Sequence, residues 1–270
     1  MDLELLNPIY SKVSSKEDVE ILCRILKYKA SSWTEGPFHK TERVNEKILV
    51  YKGKFLTGFI PRIQSYCKQY NIPFSLSLPP NNPSPLCPDE ASFKAPPGIT
   101  LEPYQIEAIQ AMKSFERGVV HLPTASGKTA IFLSFLSLFP QAKILILVHN
   151  QDLLYQNFNR AIEIFGTTVG IVGDGVKEPN RITVSTIQSL LHKPIREFNP
   201  DIVIVDEAHH VSKFTSPFFR GKGGSYARIL SEIHAQFRFG FTATLPYIDE
   251  AKWALEGYIG PVIYEKKIQE

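Results

Sequence analysis

From residue 118 onward, short apolar runs alternate with longer stretches of helical length. The runs are "GVVHL", "KILILV", "TTVGIV", "RITVS", "DIVIVD" and "FRFGFTAT". A strand buried on one face alternates apolar with polar residues; these are nearly continuous, so both faces are expected to be covered. The pattern predicts an α/β fold with a parallel sheet flanked by helices. Ligands in such folds sit outside the C-terminal ends of the strands.

The first 78 residues follow a different pattern. "SSKEDVEILCRILKYKA" reads as an amphipathic helix capped by Ser14 or Ser15, with acids in its first turn. "EKILVYKGKFLTGF" reads as a hairpin turning near Lys52-Gly53, "PRIQSYCKQYN" as a helix opening at its proline, and "FSLSL" as a strand. Residues 1–78 are therefore expected to form a small α+β unit. The proline-dense stretch that follows, residues 79–98, can continue neither a helix nor a central strand and reads as a semi-rigid linker. Residues 99–270 form the larger α/β part.

Charge adds to this division. The net charge is +3. Residues 1–78 hold twelve Lys/Arg against eight Asp/Glu, residues 79–98 carry −1, and residues 99–270 balance at seventeen each. The basic excess thus lies in the N-terminal unit, mostly between Phe38 and Lys68, where it could attract a polyanion or be a solvated face. Lys40, Arg43, Lys47, Lys52, Lys54, Arg62 and Lys68 are interleaved there with aromatics that read mainly as core. No apolar run is long enough to span a bilayer, so no membrane partner is expected. Cys23, Cys67 and Cys87 are odd in number and widely spaced, which points to a reducing, cytoplasmic compartment.

The candidate chemistry begins at "HLPTASGKTAIF". Gly127, Lys128 and Thr129 follow a strand and open a helix, where free N–H groups and the helix dipole favour a phosphate. Lys128 would reach the β/γ-phosphates and the Thr129 hydroxyl would ligate Mg²⁺, although Leu122 stands where this pattern usually has its first glycine. About eighty residues on, the strand "DIVIVD" runs into Glu207. Asp206 would hold the metal and Glu207 would orient and deprotonate a water. His121, His149 and His192 share no metal spacing, and His210 reads as a helix-surface residue.

Together these residues resemble the motif set of superfamily-two helicases and translocases with a DEAH-type box, nearest the XPB/UvsW-like branch. "LEPYQIEAI" resembles the Q-motif, "LPTASGKT" motif I, and "VHNQDLLYQ" motif Ia. "VSTIQSL" resembles the T-x-Q motif, "DEAH" motif II and "GFTATL" motif III, all in the family's order. The resemblance implies a RecA-like P-loop NTPase lobe that uses ATP and Mg²⁺. It places Tyr104 and Gln105 at the base, with Gln105 on the adenine edge, and Thr124, Ala125, Ser126, Gly127, Lys128 and Thr129 around the phosphates. His149, Asn150, Gln151 and Thr186 would touch nucleic-acid phosphates. His209, Thr242 and Thr244 would couple the γ-phosphate state to the grip on the strand. Where the branch often has Arg two positions before its tyrosine, Glu102 stands here.

The insertion "SKFTSPFFRGKGGS" brings Lys213, Arg220 and Lys222, either as further DNA contacts or as a solvated loop. The N-terminal unit is similar to the small accessory domain preceding the motor in UvsW-like proteins, which implies DNA binding there. Motors of this family close a second RecA-like lobe on ATP, and "YIGPVIYEKKIQE" reads as a lead-in to one. The leading expectation is the ATP-binding half of a DNA helicase or translocase acting on double-stranded or branched DNA. The second lobe would come from the same parent chain or in trans. The alternatives are the motor part of a restriction enzyme, or a nucleotide-switched DNA-binding protein without turnover.

Overall fold

The computed structural model describes residues 1–35, 40–79, 86–191, 198–214 and 224–266. The N-terminal unit consists of β1 (Asp2–Leu5), β2 (Tyr10–Val13), α1 (Lys16–Ile25), β3 (Lys27–Glu35), β4 (Lys40–Ile48), β5 (Lys54–Leu56), α2 (Ile60–Gln69) and β6 (Ser75–Ser77). Ser15 caps α1, its hydroxyl accepting from the Asp18 amide. The helix stops at Ile25, so "KYKA" is not its last turn but the start of β3, which pairs antiparallel with β4 as a two-stranded ribbon. The turn expected at Lys52-Gly53 is present, with Tyr51 bridged to Lys54 and both turn residues at positive φ. Its two arms part company, however: β4 joins β3, while β5 joins the sheet β5-β2-β1-β6. A local pattern shows the turn but not which strands compete for its arms.

The larger part runs α3 (Pro103–Ser114), β7 (Arg117–His121), α4 (Lys128–Ser137), β8 (Ile144–Val148), α5 (Gln151–Phe165), β9 (Val169–Gly173), β10 (Val176–Glu178), β11 (Ile182–Thr186) and α6 (Ile187–Leu190). It continues through β12 (Ile202–Asp206), α7 (Ser225–Leu230), β13 (Phe237–Thr242), α8 (Asp249–Tyr258) and β14 (Val262–Glu265). These strands form one sheet in the order β10-β9-β11-β8-β12-β13-β7-β14. Within it the pairings are parallel except for β10 on β9. All six apolar runs became strands of this sheet. "YIGPVIYEK" instead supplies β14, parallel to β7, so much of the expected lead-in belongs to this lobe.

Successive residues of the strands serve opposite cores. Ile144, Ile146 and Val148 face α3, α4 and α5, while Leu145 and Leu147 join the core beneath α7 and α8. Each such fully buried side chain contributes about 1.5–3 kcal/mol, which leaves little room for polar residues in these runs. Arg238 is the exception. It is fully buried, and donates to the carbonyls of Leu230, Ile233 and Tyr258, closing the C-terminal ends of α7 and α8. Burial pushes its guanidinium down to about 9.

The second core does not stop at the lobe; it runs on into the N-terminal unit. Phe59 meets Trp253 edge to face at 5.6 Å, and Arg62 lies over that ring while binding Glu256 with two nitrogens. Gly58 sits so close to α8 that an added Cβ would lie 2.2 Å from the Glu256 carbonyl oxygen. The expected linker is also tied down. The Asp89 amide donates to Leu138 and the Lys94 amide to the Ser137 hydroxyl.

Candidate nucleotide and nucleic-acid site

The parallel register aligns the strand tips. Thr242 stands beside His121, and Asp206 beside Phe241. From the tip of β7 the chain enters the loop 122–127 before α4. Leu122 is fully buried and its amide donates to the Thr242 carbonyl. This position has no positive φ; the left-handed residues of the loop are Ala125 and Gly127. Leu122 therefore serves the core, and the backbone has no need of glycine there. Gly127 is needed twice over: its φ is +75, and a Cβ would lie 2.5 Å from Gln105 Nε2.

The Q-motif residues brace this loop. Tyr104 Oη and Gln105 Nε2 both donate to the Ser126 carbonyl, at 2.8 and 2.9 Å. Gln105 Oε1 accepts from the Glu102 amide, so Glu102 is used as the start of α3. Gln105 is buried and both ends of its amide are engaged, while the Tyr104 ring carries Lys266 Nζ 3.4 Å from its centre. Here Gln105 braces the 122–127 loop from behind.

Beyond the loop, Lys128 Nζ lies 3.9 Å from Glu207 Oε1. Asp206 is buried, and its two oxygens accept from Asn157 Nδ2 at 3.1 Å and from the Glu207 amide at 3.0 Å. Burial raises its pKa despite those bonds. Glu207 itself has φ +52, a left-handed conformation that non-glycine residues adopt at some strain. His209 Nδ1 is 3.2 Å from Glu207 Oε2 and 3.1 Å from Thr242 Oγ1. Because the Thr242 hydroxyl donates to the Thr244 carbonyl, it accepts from Nδ1, and Glu207 Oε2 lies beside that nitrogen.

A Mg²⁺–nucleotide fits these residues. The N-terminus of α4 has no side-chain cap, so its amides remain for a phosphate. Ser126 Oγ is buried in the same loop without a hydrogen-bond partner. Asp206 and Thr129 offer the hard oxygens that Mg²⁺ takes.

The second group gathers around a polar cavity of about 490 Å³ lined by His149, Asn150, Gln151, Asp174, Thr186 and Gln188, among others. Here most of the polar side chains already have a task. Asn150 Oδ1 caps α5 through the Leu153 amide, and Thr186 caps α6. Gln151 and Tyr155 both donate to Asp174. Lys213 is exposed outside this group, while Arg220 and Lys222 lie outside the described residues.

Residues 98–247 match the family described as "Type III restriction enzyme, res subunit". The chain belongs to this family. Its motif order and its relatives place it with the XPB-like members of superfamily two. The chain is 33% identical over 175 residues to "DNA 3'-5' translocase XPB2" of Sulfurisphaera tokodaii, covering 64% of this chain and 37% of that protein. It is 32% identical over 175 residues to "Putative mitochondrial ATP-dependent helicase irc3" of Schizosaccharomyces pombe, covering 54% of this chain and 26% of that one. The chain thus spans well under half the length of these curated relatives. In fold it is similar to the UvsW helicase from bacteriophage T4, with a TM-score of 0.69 at 17% identity over 97% of this chain and 99% of the other. That likeness extends through the N-terminal unit.

One residue of this family member's site escaped the sequence reading. Asn157 is fully buried on α5 and holds Asp206 with its Nδ2, while its Oδ1 lies 3.4 Å from Thr129 Oγ1. It therefore joins the two expected metal ligands. The available signal was an amide at helical spacing on the apolar face between Leu154 and Ala161. His210 also departs from expectation. It sits in the short turn Ala208–His210, half-buried, with its ring against that of His149.

Proposed function

We propose that this chain is the ATP-binding half of a DNA helicase or translocase that acts on double-stranded or branched DNA. The observation that carries this reading is the meeting of Lys128, Thr129, Asp206 and Glu207 at the C-terminal ends of β7 and β12, on either side of β13, with Asn157 between the two metal-type ligands. Lys128 and the α4 amides bind the phosphate chain. Thr129 and Asp206 would hold Mg²⁺, which supplies positive charge that lowers the repulsion between phosphate oxygens and an entering water. Glu207 orients that water and takes its proton, with the His209 ring 3.2 Å from its Oε2. Nucleic-acid phosphates would meet the amides at the start of α5 beside Asn150 and Gln151, since the described lining of the polar cavity includes no Lys or Arg.

The N-terminal unit, residues 1–78, is read as an accessory DNA-binding domain. Lys47, Lys52, Lys54 and Lys68 are exposed on it, and its fold resembles that of UvsW. The relatives are far longer than the matched stretch, which supports a second RecA-like lobe supplying further charge to the transition state. The chain alone is then expected to bind ATP weakly and to hydrolyse it slowly. The family description also names a restriction subunit, a reading that shares this motor and differs only in what the motor drives.

The test is binding of a fluorescent ATP analogue with Mg²⁺, followed by phosphate release with and without duplex DNA. Analogue binding abolished by Lys128→Ala is expected. Equal binding by the Lys128→Ala chain would remove the nucleotide reading, and fast DNA-stimulated turnover by these 270 residues would remove the need for a second lobe.

A further inference from the structure

Between the DEAH turn and the polar cavity lies a group of rings that neither the phosphate loop nor the catalytic carboxylates use. His210 lies face to face with His149, their centres 3.6 Å apart and their planes 12° apart. Tyr226 of α7 is parallel to His210 at 6.2 Å, and His209 lies tilted against it at 4.2 Å. His149 Nδ1 is buried with no hydrogen-bond partner, so contact with its neighbours and not a bond of that nitrogen orients the ring. Burial, then the neighbouring His149 and His209, push His210 down to about 4, so at neutral pH it is uncharged and can stack without repulsion.

The backbone makes this contact a bridge. The His210 amide donates to the Glu207 carbonyl, which fixes the ring to the turn that carries Glu207 and His209. The His149 carbonyl accepts from Gln188 Nε2, which fixes its partner to the loop leading into Asn150, Gln151 and α5. On the nucleotide side, Glu207 lies between Lys128 Nζ at 3.9 Å and His209 Nδ1 at 3.2 Å, while His209 is bonded to Thr242. A phosphate that takes up Lys128 would remove the cation facing Glu207 and so shift the balance of charges that sets the turn.

We infer that His210 is a positioning residue that couples the two sites, passing a change in the DEAH turn through the ring contact with His149 to the loop beside the polar cavity. This rests on the ATP and DNA reading above. It needs no contact between His210 and either ligand. The coupling is a free energy shared by the two sites, so it must act in both directions.

The test is linkage in the 270-residue chain: affinity for a labelled DNA duplex with and without a non-hydrolysable ATP analogue and Mg²⁺, and the reverse measurement. In the unaltered chain the analogue is expected to change DNA affinity by a factor in the range of about 5–150 typical of coupled sites. His210→Ala should bring that factor below about twofold while the affinity for each ligand alone stays within about threefold. His210→Phe, which keeps a flat ring, should restore the coupling. Should His210→Ala fail to fold, His210→Gln against His210→Phe makes the same comparison.

Full coupling in His210→Ala, or in His210→Gln where that stands in, would overturn the inference, as would loss of coupling in His210→Phe. So would the absence of linkage in an unaltered chain that binds both ligands. Failure of the unaltered chain to bind nucleotide or DNA strikes the functional reading first, and the inference falls with it.

Discussion

The strand tips of the large sheet are finished in two different ways. At β7 and β12, charged groups lie close together and incompletely compensated. Asp206 is buried with a raised pKa, Lys128 reaches Glu207 only at 3.9 Å, and α4 starts without a cap. At β8 and β11, by contrast, the side chains of Asn150, Gln151 and Thr186 are already committed. Asn150 and Thr186 cap their own helices, and Gln151 is bonded to Asp174. The first group keeps unsatisfied electrostatics in reserve for a ligand that brings its own charge. The second offers backbone amides on a frame of closed hydrogen bonds, a surface suited to a repeating phosphate chain and insensitive to any single side chain.

This contrast is broken most directly by removing charge at the first group. Glu207→Gln keeps shape and polarity but cannot accept a proton, so turnover in the motor-competent protein should fall by about 10²–10⁴ with analogue binding retained. A loss below tenfold would mean that Glu207 is not the base. Asn157→Ala comes next. It removes the amide between Thr129 and Asp206, and loss of such a ligand-orienting partner should lower Mg²⁺-dependent turnover by about 10–100-fold. It should also cost about 1–3 kcal/mol of stability, since one oxygen of a buried carboxylate is left without a donor. Unchanged Mg²⁺ dependence would show that Asn157 only fills space.

Which parts of this were readable from sequence follows from where each signal resides. The six strands were legible because burial on both faces removes polar residues from the run itself. Lys128 and Asp206 were legible because a strand-to-loop step fixes them locally. The β3–β4 ribbon was not, for "KYKASSWTE" has neither clean alternation nor an apolar run, and its pairing is decided by β4. Leu122 read as a departure only because the pattern expects glycine, whereas the chain places its left-handed residues at Ala125 and Gly127. Asn157, Trp253 and the His149–His210 pair act through partners from 28 to more than 190 residues away in the chain, and no local pattern carries such information.

A smaller effect sharpens the second half of the comparison. Asn150→Ala should lower stability by about 1 kcal/mol through loss of the α5 cap, whereas Asn150→Ser, which can still accept from the Leu153 amide, should lose only a fraction of that. DNA affinity should follow the cap: nearly normal in Asn150→Ser, reduced in Asn150→Ala as the first turn frays. Urea unfolding midpoints and duplex titrations on both variants decide it. A large affinity loss in Asn150→Ser with normal stability would assign Asn150 to direct contact and undo the contrast at that residue.

The smallest effect lies between the two groups, at His210. Its folded pKa, about 4, is below the ordinary histidine value near 6.5, so the unfolded chain takes up a proton before the native one does. Its contribution is therefore neutral above about pH 6.5 and destabilising as pH falls from there toward 4. The groups facing it are His149, His209, Tyr226 and, through the turn, Glu207; these are the contacts that a charged His210 would meet. His210→Phe should therefore lose less stability than the unaltered chain between pH 7 and pH 5, measured as the difference in urea midpoint at each pH. Carboxylates common to both proteins cancel in that difference. Parallel profiles for the two chains would mean that His210 is solvated and charged like a surface histidine, and the ring contact would then be too weak to link the two halves of the sheet edge.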